Sequence, residues 1–211
     1  MTARNSTTTT GRSWLARHPL WFTFILSAII VWAVGSGFYI LYYPHLVYNT
    51  VFKKGILDKG GGNGPIPVNT LFTESQAIFA DPLHPPASAS NLLTTGVNRD
   101  TLITAGWLDL SKGPLVLHVP DMDSRYYSVQ FTDPSDGTDF AYVGTRTTGS
   151  QAGDYLITSP SWKGTVPEGM TQISSPNNAV LVIGRTLVEN DSDLAAAYYL
   201  ANQIQLTPLS Q

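Results

Sequence analysis

The sequence contains no cysteine, so neither a disulfide framework nor thiolate chemistry is open to it. That absence is permissive about compartment, because an exported domain with a large enough core folds without bridges. Charge is also scarce, at 13% of residues, and the glutamates are Glu74, Glu168 and Glu189 alone. None lies between Asn98 and Tyr155, so that region shows no glutamate pair of the kind that glycoside hydrolysis sets about 5–9.5 Å apart across a cleft. No Gly-x-Ser-x-Gly elbow occurs. The histidines His18, His45, His84 and His118 are too widely spaced for an HExxH or His-x-His ligand pair. The run Gly60-Gly61-Gly62-Asn63-Gly64 has no strand leading into it and no Lys-Ser/Thr after it, so it reads as a linker rather than a phosphate cradle.

Charge of one sign is missing from the N-terminus. Arg4, Arg12 and Arg17 stand there with no acid among them, while all fifteen acidic residues and nine of the twelve basic ones follow. The remainder of the chain is therefore modestly acidic and repels nucleic acid, which disfavours that partner class.

What the chain does have is one long apolar run, Leu20 to Tyr43, without a single charge. As a helix its 24 residues span the roughly 30 Å of a bilayer's hydrocarbon. Trp21 and Phe22 mark one end, and Tyr39, Tyr42 and Tyr43 the other, like interfacial aromatic belts. A signal peptide's apolar region is shorter, about 7–15 residues, and the weak cleavage sites Val31-Trp32-Ala33 and Gly35-Ser36-Gly37 fall inside the run. A retained anchor is expected, with the basic N-terminus in the cytoplasm and the rest outside a bacterial inner membrane. The expected organisation is a disordered tail over 1–17, a membrane helix over 18–43, a juxtamembrane segment with the Gly-rich linker over 44–69, and an envelope domain over 70–211.

Between Pro44 and the linker, Leu46, Val47, Thr50, Val51 and Lys54 recur at helical spacing, which predicts a short amphipathic helix. One or two helical turns are expected over Thr70–Ala80, and Asp81–Pro86 admits no regular structure. From Asn98 the pattern turns to strands. Thr101–Leu110, Leu115–Val119 and Arg125–Thr132 are expected strands, with hairpin connections at Lys112-Gly113-Pro114 and Pro120-Asp121-Met122-Asp123. Further strands are expected near Phe140–Val143, Asp154–Thr158, Met170–Ser174 and Ala179–Arg185. Short strands at this spacing, punctuated by glycine and proline, predict a mainly β fold, a sandwich or jelly roll. A terminal helix capped by Asp191 or Ser192 is expected, with Leu194, Ala197, Tyr198, Ala201 and Ile204 on one face and Thr207-Pro208 as its stop.

Several motifs recur in fixed order: NRDTLITAGWLDLSKGPLVLHVPD, RYYSVQFTD, GTRTTGSQAGDYLITSPSWKGTVPEG, NNAVLVIGRT and LTPLS. On these the chain, over about residues 70–211, resembles the bacterial domain-of-unknown-function family numbered twelve-fifty-four. The resemblance implies an exported, mainly β domain and transfers no catalytic residue. Longer members of that family carry a second β-rich domain, numbered twelve-fourteen. The resemblance therefore implies a short, membrane-anchored form served by a separately encoded partner of that type; a second copy of this chain is, apart from the resemblance, the other expected partner.

The charged residues inside these motifs include Arg99, Asp100, Arg125, Arg146, Asp154 and Arg185. Guanidinium groups converging at one end of a sandwich would bind a carboxylate, phosphate or sugar acid bidentately. Alternatively, each arginine pairs with an aspartate at a strand end. In Tyr126-Tyr127 one ring points inward and one outward, and the outward ring, with Trp107 or Trp162, would make an aromatic platform. The ligand-binding candidates are therefore Arg99, Asp100, Arg125, Tyr127, Arg146 and Arg185. Asp121, Asp123, Asp133, Asp136 and Asp139 crowd two turns but miss the EF-hand spacing. No metal and no cofactor are expected. The function expected is binding of a partner chain or envelope ligand by the outer domain, with a hydrolase-like enzyme as the alternative.

Overall fold

The structure, a computed structural model, describes residues 19–58, 64–74 and 100–209. The chain divides into two compact units that meet between Tyr43 and Pro44.

In the first unit, the apolar run is helical throughout, as part of α1 (Pro19–Leu46). Its large side chains stand exposed around the whole circumference, Trp32 at 73% and Leu41 at 81% among them. A helix apolar on every side is at home in lipid, not on a soluble surface. Among the described residues this is the one helix long and apolar enough to cross a membrane, as an anchor or a signal sequence would.

The second unit is a sandwich of two sheets with a C-terminal helix. Its strands are β1 (Leu71–Thr73), β2 (Thr101–Asp109), β3 (Leu115–Val119), β4 (Tyr127–Thr132), β5 (Asp139–Gly144), β6 (Gly153–Thr158), β7 (Met170–Ser174), β8 (Ala179–Leu187) and β9 (Gln205–Pro208). The five-stranded sheet runs β1-β2-β8-β4-β5, all antiparallel, and the four-stranded sheet β7-β6-β3-β9, with β6 and β7 parallel. Alternate residues of the strands meet between the layers: Leu108, Val129, Phe131, Val180 and Val182 from one sheet face Leu115, Leu117, Tyr155 and Ile157 from the other.

Three expectations are corrected here. First, the turns at Lys112-Gly113-Pro114 and Pro120–Asp123 are not hairpins, because β2 and β4 lie in one sheet and β3 in the other. A continuously apolar strand pairs equally well with a neighbour or a distant strand, so local turn chemistry alone does not choose. Second, the terminal helix α3 (Leu194–Asn202) ends well before Pro208, and Gln205–Pro208 forms edge strand β9 beside β3. Asn190, not Asp191 or Ser192, caps the 3-10 turn that leads into α3. Third, Leu71–Thr73 is a strand on the edge of β2 where helical turns were expected, and Thr73 shares a hydroxyl hydrogen bond of 2.9 Å with Thr104. Residues 75–80 of that expected stretch, and the one over Asp81–Pro86, lie outside the described residues.

The juxtamembrane segment belongs to the sandwich unit, although it was expected to be separate from the β-domain. It is a π-helical turn, Val47–Phe52, followed by α2 (Lys53–Leu57). Its buried side is Tyr48, Phe52, Ile56 and Leu57, and not the expected face, since Leu46 and Val51 are exposed. Aromatic and branched groups at i, i+4 and i+8 win because they meet the matching apolar side of the sheet. That side is Phe72, Ala105, Trp107 and Leu181. Gly137, at φ +83°, passes under Tyr48 so closely that a Cβ would come within 2.6 Å of the ring.

Gly144 is required for a different reason. A Cβ there would lie 2.5 Å from the Tyr127 carbonyl oxygen and 2.8 Å from the Ser128 Cα of the paired strand. Backbone cannot step aside as a side chain can, so Gly144→Ala is expected to cost about 1–3 kcal/mol. A fall in melting temperature with unchanged far-UV circular dichroism would match; an unaltered melt would contradict this packing.

Candidate functional site

Strand alternation gives β8, β4 and β5 an outer face opposite the core. Along it the register sets Arg185 beside Ser128 and Ser128 beside Gly144, then Ile183 beside Gln130 and Gln130 beside Tyr142. The juxtamembrane helix covers the β1-β2-β8 part of this sheet face and reaches the β4–β5 turn, where Asn49 donates to the Pro134 carbonyl at 3.2 Å. What stays open is polar.

Asp139 is the hub of that open half. Its Oδ1 accepts from Gln130 Nε2 at 2.8 Å and from Thr132 Oγ1 at 2.6 Å, and its Oδ2 accepts from the Tyr142 hydroxyl at 2.6 Å. That last bond, with the carboxylate charge beside it, raises the pKa of the Tyr142 hydroxyl above the ordinary phenolic value. The Tyr142 ring is held in place yet 46% exposed. At the other end of the open half, the Arg146 guanidinium lies over the Tyr126 ring, 5.4 Å from its centroid. Arg185 is exposed and makes no ion pair among the described residues. Arg146 and Arg185 thus lie toward one end of the same face, and Gln130 and Tyr142 follow one strand step along it.

The other candidates fall elsewhere. Arg99 lies outside the described residues, and Asp100 is an exposed residue whose carbonyl accepts from Val188 N. Arg125 forks onto Asp193, Nη1 to Oδ2 at 2.5 Å and Nη2 to Oδ1 at 2.6 Å, and Nη1 also reaches the Leu187 carbonyl. Asp193 is thereby held down to about 2, chiefly by the Arg125 hydrogen bond and then by the Glu189 amide. This pair joins the start of β4 to the entrance of α3 and is structural. Tyr127 is the inward ring, fully buried, its hydroxyl donating to the Gly149 carbonyl at 3.1 Å, so it offers nothing to a ligand. Trp107 is 2% exposed and lines the buried side of the juxtamembrane helix, so it forms no platform.

The turn aspartates stabilise their own backbone. Asp121, Asp133 and Asp136 each accept from the amide two residues on, and Asp133 also holds Asn177 Nδ2 at 2.6 Å. Among the described residues there is no group of three metal-ligating side chains. Glu74 is buried at 8% exposure, and burial raises its pKa. A polar cleft of about 220 Å3 lies between the β1 edge and the α3–β9 corner, with Thr73, Asn202 and Gln205 in its wall.

Two constellations escaped sequence reasoning. The Gln130–Asp139–Tyr142 cluster needs the β4–β5 register, although alternation in RYYSVQFTD already put Tyr126, Ser128 and Gln130 on one face. On the far sheet, His118 Nδ1 and Asp154 Oδ1 stand 2.7 Å apart across the β3–β6 ladder, both side chains half exposed. Thirty-six residues of sequence separate them, so no spacing rule finds them.

Fold and site together define a two-sheet β-sandwich domain preceded by an apolar helix. The chain belongs to the family described as Protein of unknown function (DUF1254), whose model matches residues 81–208. It is also similar to the crystal structure of the VPA0106 protein from Vibrio parahaemolyticus, with a TM-score of 0.60 and 25% identity over 82% of this chain. The match spans 37% of that protein's length. No curated protein matches the sequence.

Proposed function

We propose that the chain is a single-pass protein of the bacterial inner membrane whose outer β-domain is a binding module, taking a partner chain or an envelope ligand. The observation that carries this reading is the open half of the five-stranded sheet, where organised hydrogen-bonding groups, an exposed tyrosine and two arginines face solvent beside the part sealed by the juxtamembrane helix. Retention of the anchor is supported by what cleavage would leave behind. A cut at either weak site strands Phe38, Ile40 and Leu41, each at least 65% exposed, on the product. Arg4, Arg12 and Arg17 before the helix favour a cytoplasmic N-terminus.

The partner we propose is a separately encoded β-domain chain of the twelve-fourteen type, or a second copy of this chain. Support comes from VPA0106, where the matched region is a minor part of a longer chain. The second reading, a hydrolase-like enzyme on an envelope or imported substrate, rests on the His118–Asp154 pair. A carboxylate on Nδ1 orients an imidazole as a general base requires.

The absence of cysteine makes topology directly testable. Ser161→Cys, on an exposed stretch of the outer domain, is expected to react with a membrane-impermeant maleimide in cells whose outer membrane alone is permeabilised, while Ser6→Cys is protected by the intact inner membrane. The reverse pattern would overturn the orientation. Purification in mild detergent with mass spectrometry is expected to recover a partner chain or a bound envelope molecule; recovery of this chain as a monomer with nothing bound would overturn the binding role.

A further inference from the structure

We propose that the open face of β8, β4 and β5 is a site for an acidic saccharide, a sugar ring that carries a carboxylate. This deepens the binding-module reading and rests on it.

The face has two zones one strand step apart. In the first, Arg185 stands beside Ser128, and Arg146 lies on the Tyr126 ring. A guanidinium stacked on an aromatic face keeps its N–H edge for a planar two-oxygen acceptor. In the second zone, Gln130 and Tyr142 are directly opposed across the β4–β5 ladder. Two residues along β4 separate Ser128 from Gln130, about 7 Å, and four separate Tyr126 from it, about 13 Å. A uronic acid's carboxylate is bonded directly to its ring, so these gaps are bridged by successive sugars of an acidic oligomer and not within one sugar. A ring resting on Tyr142 therefore brings the carboxylate of the adjoining uronate in the oligomer to the arginine zone.

Each part of the face suits that ligand better than the alternatives. The Tyr142 ring is immobilised through its hydroxyl on Asp139, so stacking costs little side-chain entropy. The carboxylate of Asp139 is occupied by three neutral donors, which leaves the two arginines as the groups that meet a ligand's charge. Gln130 and Ser128 are part-buried and polar, as sugar hydroxyls require. An acyl chain finds no apolar groove here, since the apolar half of this sheet is sealed by Tyr48, Phe52 and Ile56.

A carboxylate and a phosphate both satisfy paired guanidinium groups, so the probes must separate them. Trigalacturonate, its methyl ester and inorganic phosphate would be titrated calorimetrically against the full chain in mild detergent. Trigalacturonate is expected to bind, and about tenfold more weakly in Arg185→Ala and in Arg146→Ala, because each removes a charge-assisted contact. The ester is expected to lose a similar factor, and affinity for the acid to fall as salt is raised. Tyr142→Phe, which frees the ring from Asp139, is expected to weaken binding of the ester and the acid alike. Binding of phosphate as tightly as the trisaccharide would overturn the saccharide. Equal affinity for acid and ester would overturn the carboxylate, and so would unchanged binding in both arginine variants that melt like the parent. Absence of binding to any probe at about 10 mM would overturn the site. None of these results touches the maleimide topology or the co-purification, which test the underlying reading separately.

Discussion

Trp107→Ala is expected to remove about 3–5 kcal/mol from the β-sandwich domain, the range for deleting a large buried aromatic. Trp107 is 2% exposed and sits where two structures meet: the outer side of β2, with Ala105 and Leu181 beside it, and the juxtamembrane helix, with Ile56 fully buried above. The loss compares with a total of about 5–15 kcal/mol for an ordinary domain. Lys53 Nζ lies 5.4 Å from the centre of the same ring, but that cation–π contact is partly exposed and contributes only about 0.5–1 kcal/mol, so Lys53→Ala separates apolar burial from charge. Urea unfolding in mild detergent measures the effect. Hydrogen exchange adds where it falls: amides of residues 47–57 are expected to exchange faster than those of β3 and β6. A loss under about 1 kcal/mol would mean that this helix does not rest on the sheet.

The second large effect belongs to Arg125. Its side chain and that of Asp193 are 15% and 16% exposed, and removing one leaves the other charge largely desolvated. Arg125→Ala is expected to cost roughly 2–4 kcal/mol, somewhat below the fully buried case. Arg125→Lys restores charge without the fork and should recover less than half. The pair also sets a pH signature. Asp193 titrates at about 2 in the folded chain against an ordinary 3.8, so the folded state binds the proton less readily than the unfolded one. Its contribution is therefore complete above pH 3.8 and fades as pH falls through 2. The stability gap between parent and Arg125→Ala should narrow over that window. A gap unchanged down to pH 2 would show that the lost energy came from packing and not from this pair.

Much of the fold was legible because period-2 alternation and turn residues act over a few positions. Met170–Ser174 is a strand over the expected residues, and Leu115–Val119 likewise. The apolar helix was legible for the same reason, since its length and lack of charge are local properties. Sheet membership was not. Leu115–Val119 is apolar enough to pair anywhere, and its partners turn out to be β6 and the strand at Gln205–Pro208, ninety residues on. The short edge strands β1 and β9 were missed because three or four residues carry too little pattern.

The site shows the same division more sharply. Sequence singled out arginines by type, and type could not tell Arg125, which is spent on Asp193, from Arg185, which faces solvent. It paired Tyr126 with Tyr127 as one in and one out, but which ring went in depended on the core that the opposite sheet supplied. By itself the sequence determined an uncharged helix long enough for a bilayer and a body made of short strands, because both follow from residue-to-residue periodicity. Only the tertiary structure decided which half of a sheet the juxtamembrane helix seals, and hence which polar groups remain open. That outcome is set chiefly by contacts of the juxtamembrane helix with β2 and β8, about fifty and about 125 residues further along the chain, and no local pattern encodes it.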